Sequence, residues 1–286
     1  MRINDWRLTN FDLRFESSIQ HPKSSIQYPV SIIQKSKLKT MQPFRADIHI
    51  HTVLSPCAEL EMTPGNIVDR AVQSGLQIIG ITDHNSTKNA LLTKKLAEKA
   101  GIFVLTGAEV NTREEVHCLV FFEGEEKLSW FQQYIEENIN RIPNPDGHFG
   151  YQPVVDEHDN ILELVPYYLH ASLKTGISQL QKIVHENGGI FIPAHVNRPA
   201  NGLFSQLGFF PPGLKPNAVE VSKFTSQKHV EKHHVIPENM TIIRSSDAHT
   251  LQHIGEICTV FYIETPCFSE IEMALHNQHN RLTKAE

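Results

Sequence analysis

The chain is poor in cysteine and has no excess of positive charge. Its four cysteines (Cys57, Cys118, Cys258 and Cys267) lie far apart, and none belongs to a C-x-x-C pair. That spacing excludes a disulfide framework and a thiolate zinc knot. A reducing cytoplasm is the expected compartment. Lys and Arg number 26 against 32 Asp and Glu, a net charge of -6. Broad coating of nucleic acid needs a basic surface, so it is excluded, whereas a local basic pocket for one phosphate is not. No apolar run approaches the roughly 18 residues of a membrane span. The N-terminal residues lack the basic, apolar and small-residue order of a secretion signal. No nucleophile-elbow motif is present, so no serine or cysteine nucleophile is indicated.

What is abundant is histidine, 17 in 286 residues. Part of the excess is ordinary surface usage, since His185, His229, His233, His234, His276 and His279 fall in polar, helix-like stretches. The others fall at particular places in the element order.

Residues 1–40 are rich in Ser, Gln, Lys and Asn and sustain no apolar period. They are expected to form a poorly structured extension, with Met41 as the working start of a catalytic domain over 41–286. From Arg45 onward, short β-branched runs alternate with helical patterns, the signature of α/β architecture. Strands are expected at Ala46–His51, Gln77–Thr82, Phe103–Val110, Cys118–Phe122, Gly189–Val196, Ala218–Val221, Thr241–Ser245 and Thr259–Glu264. Thr63-Pro64 caps a helix with an Ile67, Val68, Ala71, Val72 face that ends at Gly75. Ser86 is expected to cap a helix running to about Lys99. Leu173, Ile177, Leu180 and Val184 form another face, stopped by Gly188-Gly189. Six or seven such units predict a closed or distorted βα barrel, with an open doubly wound sheet as the alternative. Residues 143–170 break the rhythm with Pro143, Pro145, Gly147, Gly150 and Pro153, then a hairpin turn near Asp156–Asn160. A long irregular segment inside a compact domain reads as a lid or binding insert, here about 123–171.

Histidines and carboxylates gather at the C-terminal ends of these strands. Asp47-Ile-His49-Ile-His51 ends the first; residues two apart in a strand share a face, so His49 and His51 can converge on one ion. Thr82-Asp83-His84-Asn85 ends the second, Gly107-Ala-Glu109-Val the third with His117 just beyond. Pro193-Ala-His195 and Ser246-Asp247-Ala-His249 end two later strands. One strand-end histidine would be unremarkable; five strand ends carrying imidazole or carboxylate mark an active site at the C-terminal face of a barrel. Imidazole and carboxylate without thiolate suit zinc, manganese or iron. The ligands exceed what one ion needs, so two or three divalent ions sharing a carboxylate are expected.

His49-Ile-His51-Thr52, Thr82-Asp83-His84-Asn85, Glu109 with His117, and Ala194-His195 with Ser246-Asp247-Ala248-His249 arrive in an order that resembles the PHP family, named for its polymerase and histidinol phosphatase members. The resemblance covers roughly residues 45–265. It implies a distorted (β/α)7 TIM-like barrel and three metal positions. His49, His51, Glu109 and Asp247 would hold the first, and Glu109, His117 and His195 the second. His84, His249 and a residue after H-x-H-T would hold the third. Family members place His or Asp in that last slot; counting back from Thr63-Pro64 gives Glu59 here, with Glu61 competing.

The resemblance further implies hydrolysis of phosphate esters by metal-activated hydroxide attacking phosphorus in line. Asp247 and His195 are the expected catalytic residues beside the ions. Arg198 is the expected phosphate clamp, because a guanidinium grips two phosphate oxygens. Lys223 and Arg244 are weaker candidates, and His253 is considered for leaving-group protonation. The expected substrate is a small phosphorylated metabolite such as histidinol phosphate, or a nucleotide. An exonuclease or nucleotidase acting on oligonucleotide ends is the alternative. Phe149, Tyr151, Tyr167 and Tyr168 are available to stack on a ring. An amidohydrolase barrel also opens with H-x-H, but no carboxylatable lysine is evident at a mid-barrel strand end. A structural or sensing metal centre is the non-enzymatic alternative. No cofactor beyond metal, no membrane and no stable protein partner are implied.

Overall fold

The computed structural model describes residues 40–223 and 235–286. The expected extension, Thr40 apart, lies outside the described residues, as do His229, His233 and His234.

The first element among the described residues is β1 (Gln42–Ile50), which is exposed at Gln42 and Pro43 but fully enclosed from Ala46 on. Its β-branched Ile48 and Ile50 are buried on one face while Asp47 and His49 are buried on the other. Helix α1 (Pro64–Gln73) follows, with Thr63 as N-cap accepting from Asn66 N and proline at its first position. Ile67, Val68 and Ala71 turn inward, but Val72 is 51% exposed, so the expected apolar face is one residue narrower. Burying Ile67 contributes about 2 kcal/mol.

Strand β2 (Ile78–Ile81) leads to α2 (Ala90–Lys99). Ser86 does not cap it. Asn89 is the N-cap residue and Ser86 lies a turn earlier, with Lys88 N and Gln132 Oε1 as neighbours. Strands β3 (Phe103–Asn111) and β4 (His117–Phe121) form a hairpin in which Asn111 faces His117. Gly107 makes that pairing possible, because a Cβ there would collide with the Val120 carbonyl.

Within the expected insert, α3 (Glu125–Asn138) is a regular helix whose Leu128, Phe131 and Ile135 are buried. The irregular part begins at Ile139 and contains the hairpin of β5 (Pro153–Val155) and β6 (Ile161–Leu164), turning at the predicted Asp156–Asn160. Helix α4 (Ile177–Glu186) buries Ile177, Leu180 and Val184; Leu173 is buried too but precedes the helix. The chain continues through β7 (Ile190–Pro193), α5 (Leu203–Leu207), β8 (Val219–Glu220) and β9 (Ile242–Ile243). It ends with β10 (Thr259–Ile263), α6 (Phe268–Leu275) and β11 (Leu282–Ala285). The last strand has no apolar run and was not expected.

The main sheet has the order β11-β10-β1-β2-β3-β4-β7. β1, β2 and β3 are parallel, whereas β4 runs antiparallel to both β3 and β7. β7 continues to β8 through Asn217 N to Phe191 O and Val196 N to Glu220 O, both 2.9 Å. β8 pairs in parallel with β9, and beyond β9 Ala248 bridges Ile50 of β1. Seven strands thus complete a circuit, a distorted barrel rather than an open doubly wound sheet, with β10 and β11 appended beside the start of β1. Helices α1 and α2 pack against β1–β3, α3 and α4 against β4 and β7, and α6 against β1 and β10. Among the described residues no helix is long and apolar enough to cross a membrane.

Candidate metal centre

The barrel brings the strand ends together as expected. His49 and His51 share the inward face of β1 and its end, both fully buried, with their Nε2 atoms 3.2 Å apart. Glu109, at the end of β3, is the hub. Its Oε1 lies 2.9 Å from His117 Nδ1, 3.0 Å from His195 Nε2 and 3.4 Å from His49 Nε2. Its Oε2 lies 3.0 Å from His84 Nδ1 and 3.4 Å from His51 Nε2. Asp247 closes the centre, with Oδ1 3.4 Å from His49 Nε2, 3.5 Å from His51 Nε2 and 3.6 Å from His249 Nδ1. The His249 ring stacks on His51 with centroids 4.1 Å apart.

Backbone strain accompanies this convergence. His195 (φ 28°), Asp247 (φ 51°) and Asn85 (φ 44°) adopt left-handed conformations that non-glycine residues rarely take. Such strain persists where the surroundings over-determine it. His195 is held by its own N–H donating to Glu220 Oε2 at 3.0 Å, and Asn85 by hydrogen bonds on both sides of its side chain.

A second layer fixes which nitrogen each imidazole offers. His49 Nδ1 donates to Glu220 Oε2 at 3.0 Å, which leaves Nε2 for the centre. His51 Nδ1 pairs with Ser55 Oγ at 2.9 Å, and that hydroxyl donates to Asp83 Oδ1 at 2.7 Å. Asp83 also accepts from Thr52 N and Thr52 Oγ1, each at 2.7 Å, so it organises the turn after β1 and does not face the centre. Asp47 likewise turns away and accepts from Ser246 N and Gly255 N, tying β1 to the Asp247 turn.

The charges are tightly coupled. Burial raises a carboxyl, but the imidazoles of His117, His49 and His84 outweigh it and hold Glu109 well below the usual range. Asp247 is held low in the same way, chiefly by His49 and His51. Burial alone would lower His49, yet Glu220, Glu109 and Asp247 drive it well above the ordinary imidazole value, and His51 is raised too. His84 goes the other way, well below, because burial dominates. His117 is lowered by burial, and His249 is pushed down to about 3 by burial and the proximity of His51.

These residues fit divalent cations. Glu109 Oε2, His84 Nδ1, His117 Nε2 and His195 Nδ1 are buried without a well-aligned hydrogen bond, a costly arrangement unless another partner is intended. Four groups of ligand atoms lie within 4.8 Å of one another: His49-His51-Glu109, Glu109-His117-His195, His51-His84-His249 and His84-His117-His170. The donors are imidazole and carboxylate, and the thiol on the cavity wall, Cys57, is pushed up to about 12 by burial and by Glu109. That set suits borderline and hard ions such as zinc, manganese or iron.

Eight of the nine sequence-derived ligands converge. Glu59 does not: its side chain is exposed and belongs to none of these groups. Only its backbone N–H reaches the centre's frame, donating to the His249 carbonyl at 2.9 Å. Glu61 is exposed as well. Two residues were missed. Glu220 gives no spacing signal inside Val219-Glu220-Val221, although an acid within a buried β-branched run is itself a hint. His170 comes from the irregular segment, where no periodicity points inward.

A cavity of about 300 Å³ opens over the centre, lined by Cys57, His84, Glu109, His117, His170, Arg198, Asn201, Asp247 and His249. Arg198 Nη1 is 2.7 Å from Asp247 Oδ2, at the cavity wall. Lys223 pairs with Glu256 at 3.5 Å, and Arg244 is spent on the Lys223 and Glu286 carbonyls. Neither lines the cavity, and His253 is exposed on a single 3-10 turn away from it.

Comparisons with known proteins agree with this geometry. The family model of the PHP domain matches residues 47–129, the stretch carrying His49, His51, His84, Glu109 and His117. The uncharacterised protein YqxK of Bacillus subtilis is 24% identical over 277 residues, covering 84% of this chain and 64% of that protein. An uncharacterised protein of Methanocaldococcus jannaschii, MJ1587, is 35% identical over 78 residues, covering 24% of this chain and 46% of its own. The chain thus spans less than two thirds of the length of these curated relatives. Among solved structures, the lesion-specific endonuclease PfuEndoQ from Pyrococcus furiosus superposes with a TM-score of 0.66 at 17% identity, covering 85% of this chain and 58% of that one. A two-domain protein from Bacteroides vulgatus, containing a predicted PHP-like metal-dependent phosphoesterase, gives 0.51 at 18% identity, covering 86% and 65%. Family match, barrel topology and converged ligands coincide: residues 47–129 match the PHP domain and carry five of the converged ligands.

Proposed function

We propose that the protein is a metal-dependent hydrolase of phosphate esters. The observation that carries this reading is Glu109, a single buried carboxylate within 3.4 Å of five imidazoles, beneath a cavity walled by Arg198. His49, His51, Glu109 and Asp247 would hold one ion, Glu109, His117 and His195 a second, and His84 with His249 part of a third. Zinc, manganese or iron bound there would polarise phosphoryl oxygens and supply a nucleophilic water at neutral pH. The protein's own contribution is positioning and charge. Asp247 spans the two roles, facing His49 and His51 with one oxygen and orienting the Arg198 guanidinium with the other. A guanidinium has five donors, and the Asp247 contact occupies one nitrogen, so the fork can still grip a phosphate. Glu220 and the Ser55–Asp83 pair hold the His49 and His51 rings in the tautomers that present Nε2.

A cavity of about 300 Å³ suits a small phosphomonoester, such as a phosphorylated amino alcohol or a nucleotide. One observation favours the end of an oligonucleotide as a second reading. Phe149, 38% exposed, packs on Tyr168 with centroids 4.5 Å apart, and Tyr168 stacks on His170 of the cavity wall at 5.9 Å. A base could stack on that aromatic edge. Tyr167 is engaged instead by Arg141, and Tyr151 is 62% exposed without a ring partner among those described. An amidohydrolase or a structural metal centre lacks comparable support. The cytoplasm remains the proposed compartment.

The test is phosphate release from sugar, amino-alcohol and nucleotide monophosphates and from short 5′-phosphorylated oligonucleotides, with manganese and with zinc. Turnover that disappears in Asp247→Ala supports the reading. Its absence from folded, metal-loaded protein refutes it.

A further inference from the structure

His170 stands where no sequence-derived ligand was placed. It belongs to the irregular segment after α3, yet its ring meets His84 with centroids 4.3 Å apart and His117 at 4.9 Å, edge-on to both. Ligand atoms of the three lie within 4.8 Å of one another. His117 spends Nδ1 on Glu109 Oε1, so the atom it has left is Nε2, which is buried and has no hydrogen-bond partner.

The backbone around His170 is clamped from the metal-bearing strand ends. Asn85, the residue after His84, donates through Nδ2 to Leu169 O at 2.6 Å and to Ala171 O at 2.8 Å. Asn111, two residues after Glu109, donates through Nδ2 to His170 O at 3.0 Å. Asn85 Oδ1 in turn accepts from Asn111 N at 3.1 Å, so the two amides act as one brace. Further out, Gln152 accepts from Leu169 N at 2.8 Å and donates to Tyr167 O at 2.7 Å. At Gly150 (φ +108°) a side chain would strike the Pro56 carbonyl, so the segment also presses against the turn that carries Cys57 into the cavity wall. Three side-chain amide bonds on three consecutive carbonyls are far more than a surface loop needs. They fix one imidazole with little rotational freedom of its backbone, the preorganisation expected of a ligand.

We propose that His170 is a metal ligand that takes an ion together with His84 and His117, a grouping alternative to the pairing of His84 with His249 and of His117 with His195, and that the exposed Glu59 takes no part. The segment around it is then part of the metal centre, and its order depends on metal occupancy. This rests on the metal-centre reading and not on the reaction assigned to it.

The experiment titrates zinc alone into the chelator-stripped full chain by calorimetry, with His170→Ala, His170→Gln, Asn85→Ala and Glu59→Gln alongside. Hydrogen exchange of residues 139–171 is followed with and without zinc. Both His170 variants should lose one binding event or weaken it at least tenfold, as metal-site perturbations do, typically by about 10–100-fold. Asn85→Ala should weaken the same event, and Glu59→Gln should leave all events unchanged. Zinc should slow exchange in 139–171 in the unaltered chain and not in His170→Ala. Full stoichiometry and unchanged affinity in His170→Gln, with a metal-free Tm equal to that of the unaltered chain, would overturn the proposal. So would intact zinc binding with collapsed phosphate release, which would place His170 against substrate instead. No turnover enters the zinc readout, so a chain inactive on phosphate esters would still decide it.

Discussion

The Nδ1 of His49 donates to Glu220 at 3.0 Å, deep in the barrel, where neither residue is more than 1% exposed. Glu220 accepts from the backbone of His195 as well, so one carboxylate orients ligands from two strands.

Replacing Glu220 by Gln keeps the shape and removes the charge. Metal affinity should fall by about 10–100-fold, the range for loss of a group that orients a ligating imidazole. Competition against a calibrated chelator measures it, and an unchanged affinity would show that His49 needs no such support.

Metal uptake should release protons. In the metal-free fold His49 holds its proton well above the ordinary imidazole value and His51 is raised as well, whereas an ion takes only neutral imidazole. His84, His117 and His249 are already neutral at pH 7 and release none. Calorimetry at pH 7 in buffers of different ionisation enthalpy reads the protons directly. The same shift has a stability consequence for the metal-free protein. A folded value raised above the unfolded one, about 6.5, contributes stability that is complete below pH 6.5. It is lost as pH rises through the folded value. The Tm of chelated protein should therefore fall as pH rises above 6.5, and that of loaded protein should fall less.

Removing the Arg198 side chain should weaken substrate binding and rate while leaving metal content intact. A charge-assisted contact is worth about 1.5–3 kcal/mol, a loss of roughly tenfold to a hundredfold in kcat/KM. Arg198→Lys should recover only part, since an ammonium lacks the planar fork. Unchanged kinetics in Arg198→Ala would remove the arginine from the mechanism.

Phe131 is fully buried between α3 and the β4–β7 side of the barrel. Phe131→Ala should cost about 3–5 kcal/mol of unfolding free energy by denaturant titration. A loss under 1 kcal/mol would mean that α3 is dispensable to the barrel, as a free lid would be.

The metal centre was legible wherever secondary structure determines direction. In β1 the period of two places His49 and His51 on one face, and an acid or imidazole at a strand end is carried to the barrel mouth by topology alone. Glu59 shows the limit. It lies in a turn closed by Val53 N to Met62 O at 2.7 Å, and counting residues along a turn says nothing of which side chain points inward. His170 and Glu220 show its two other forms. One is placed by amide bonds to distant strand ends, the other by burial in a two-residue strand, and neither leaves a local pattern. The eight expected strands were all found because β-branched runs bounded by turns are local. β11 was not, since Leu282–Ala285 pairs with β10 but carries no β-branched apolar run.

The most direct test of the account is phosphate release by the metal-loaded chain beside Glu109→Gln, with zinc content measured on the same samples. The account predicts turnover of a phosphate ester in the unaltered chain, and in the variant a loss of bound metal together with a loss of turnover. Folded Glu109→Gln that kept its full metal complement and its rate would contradict it.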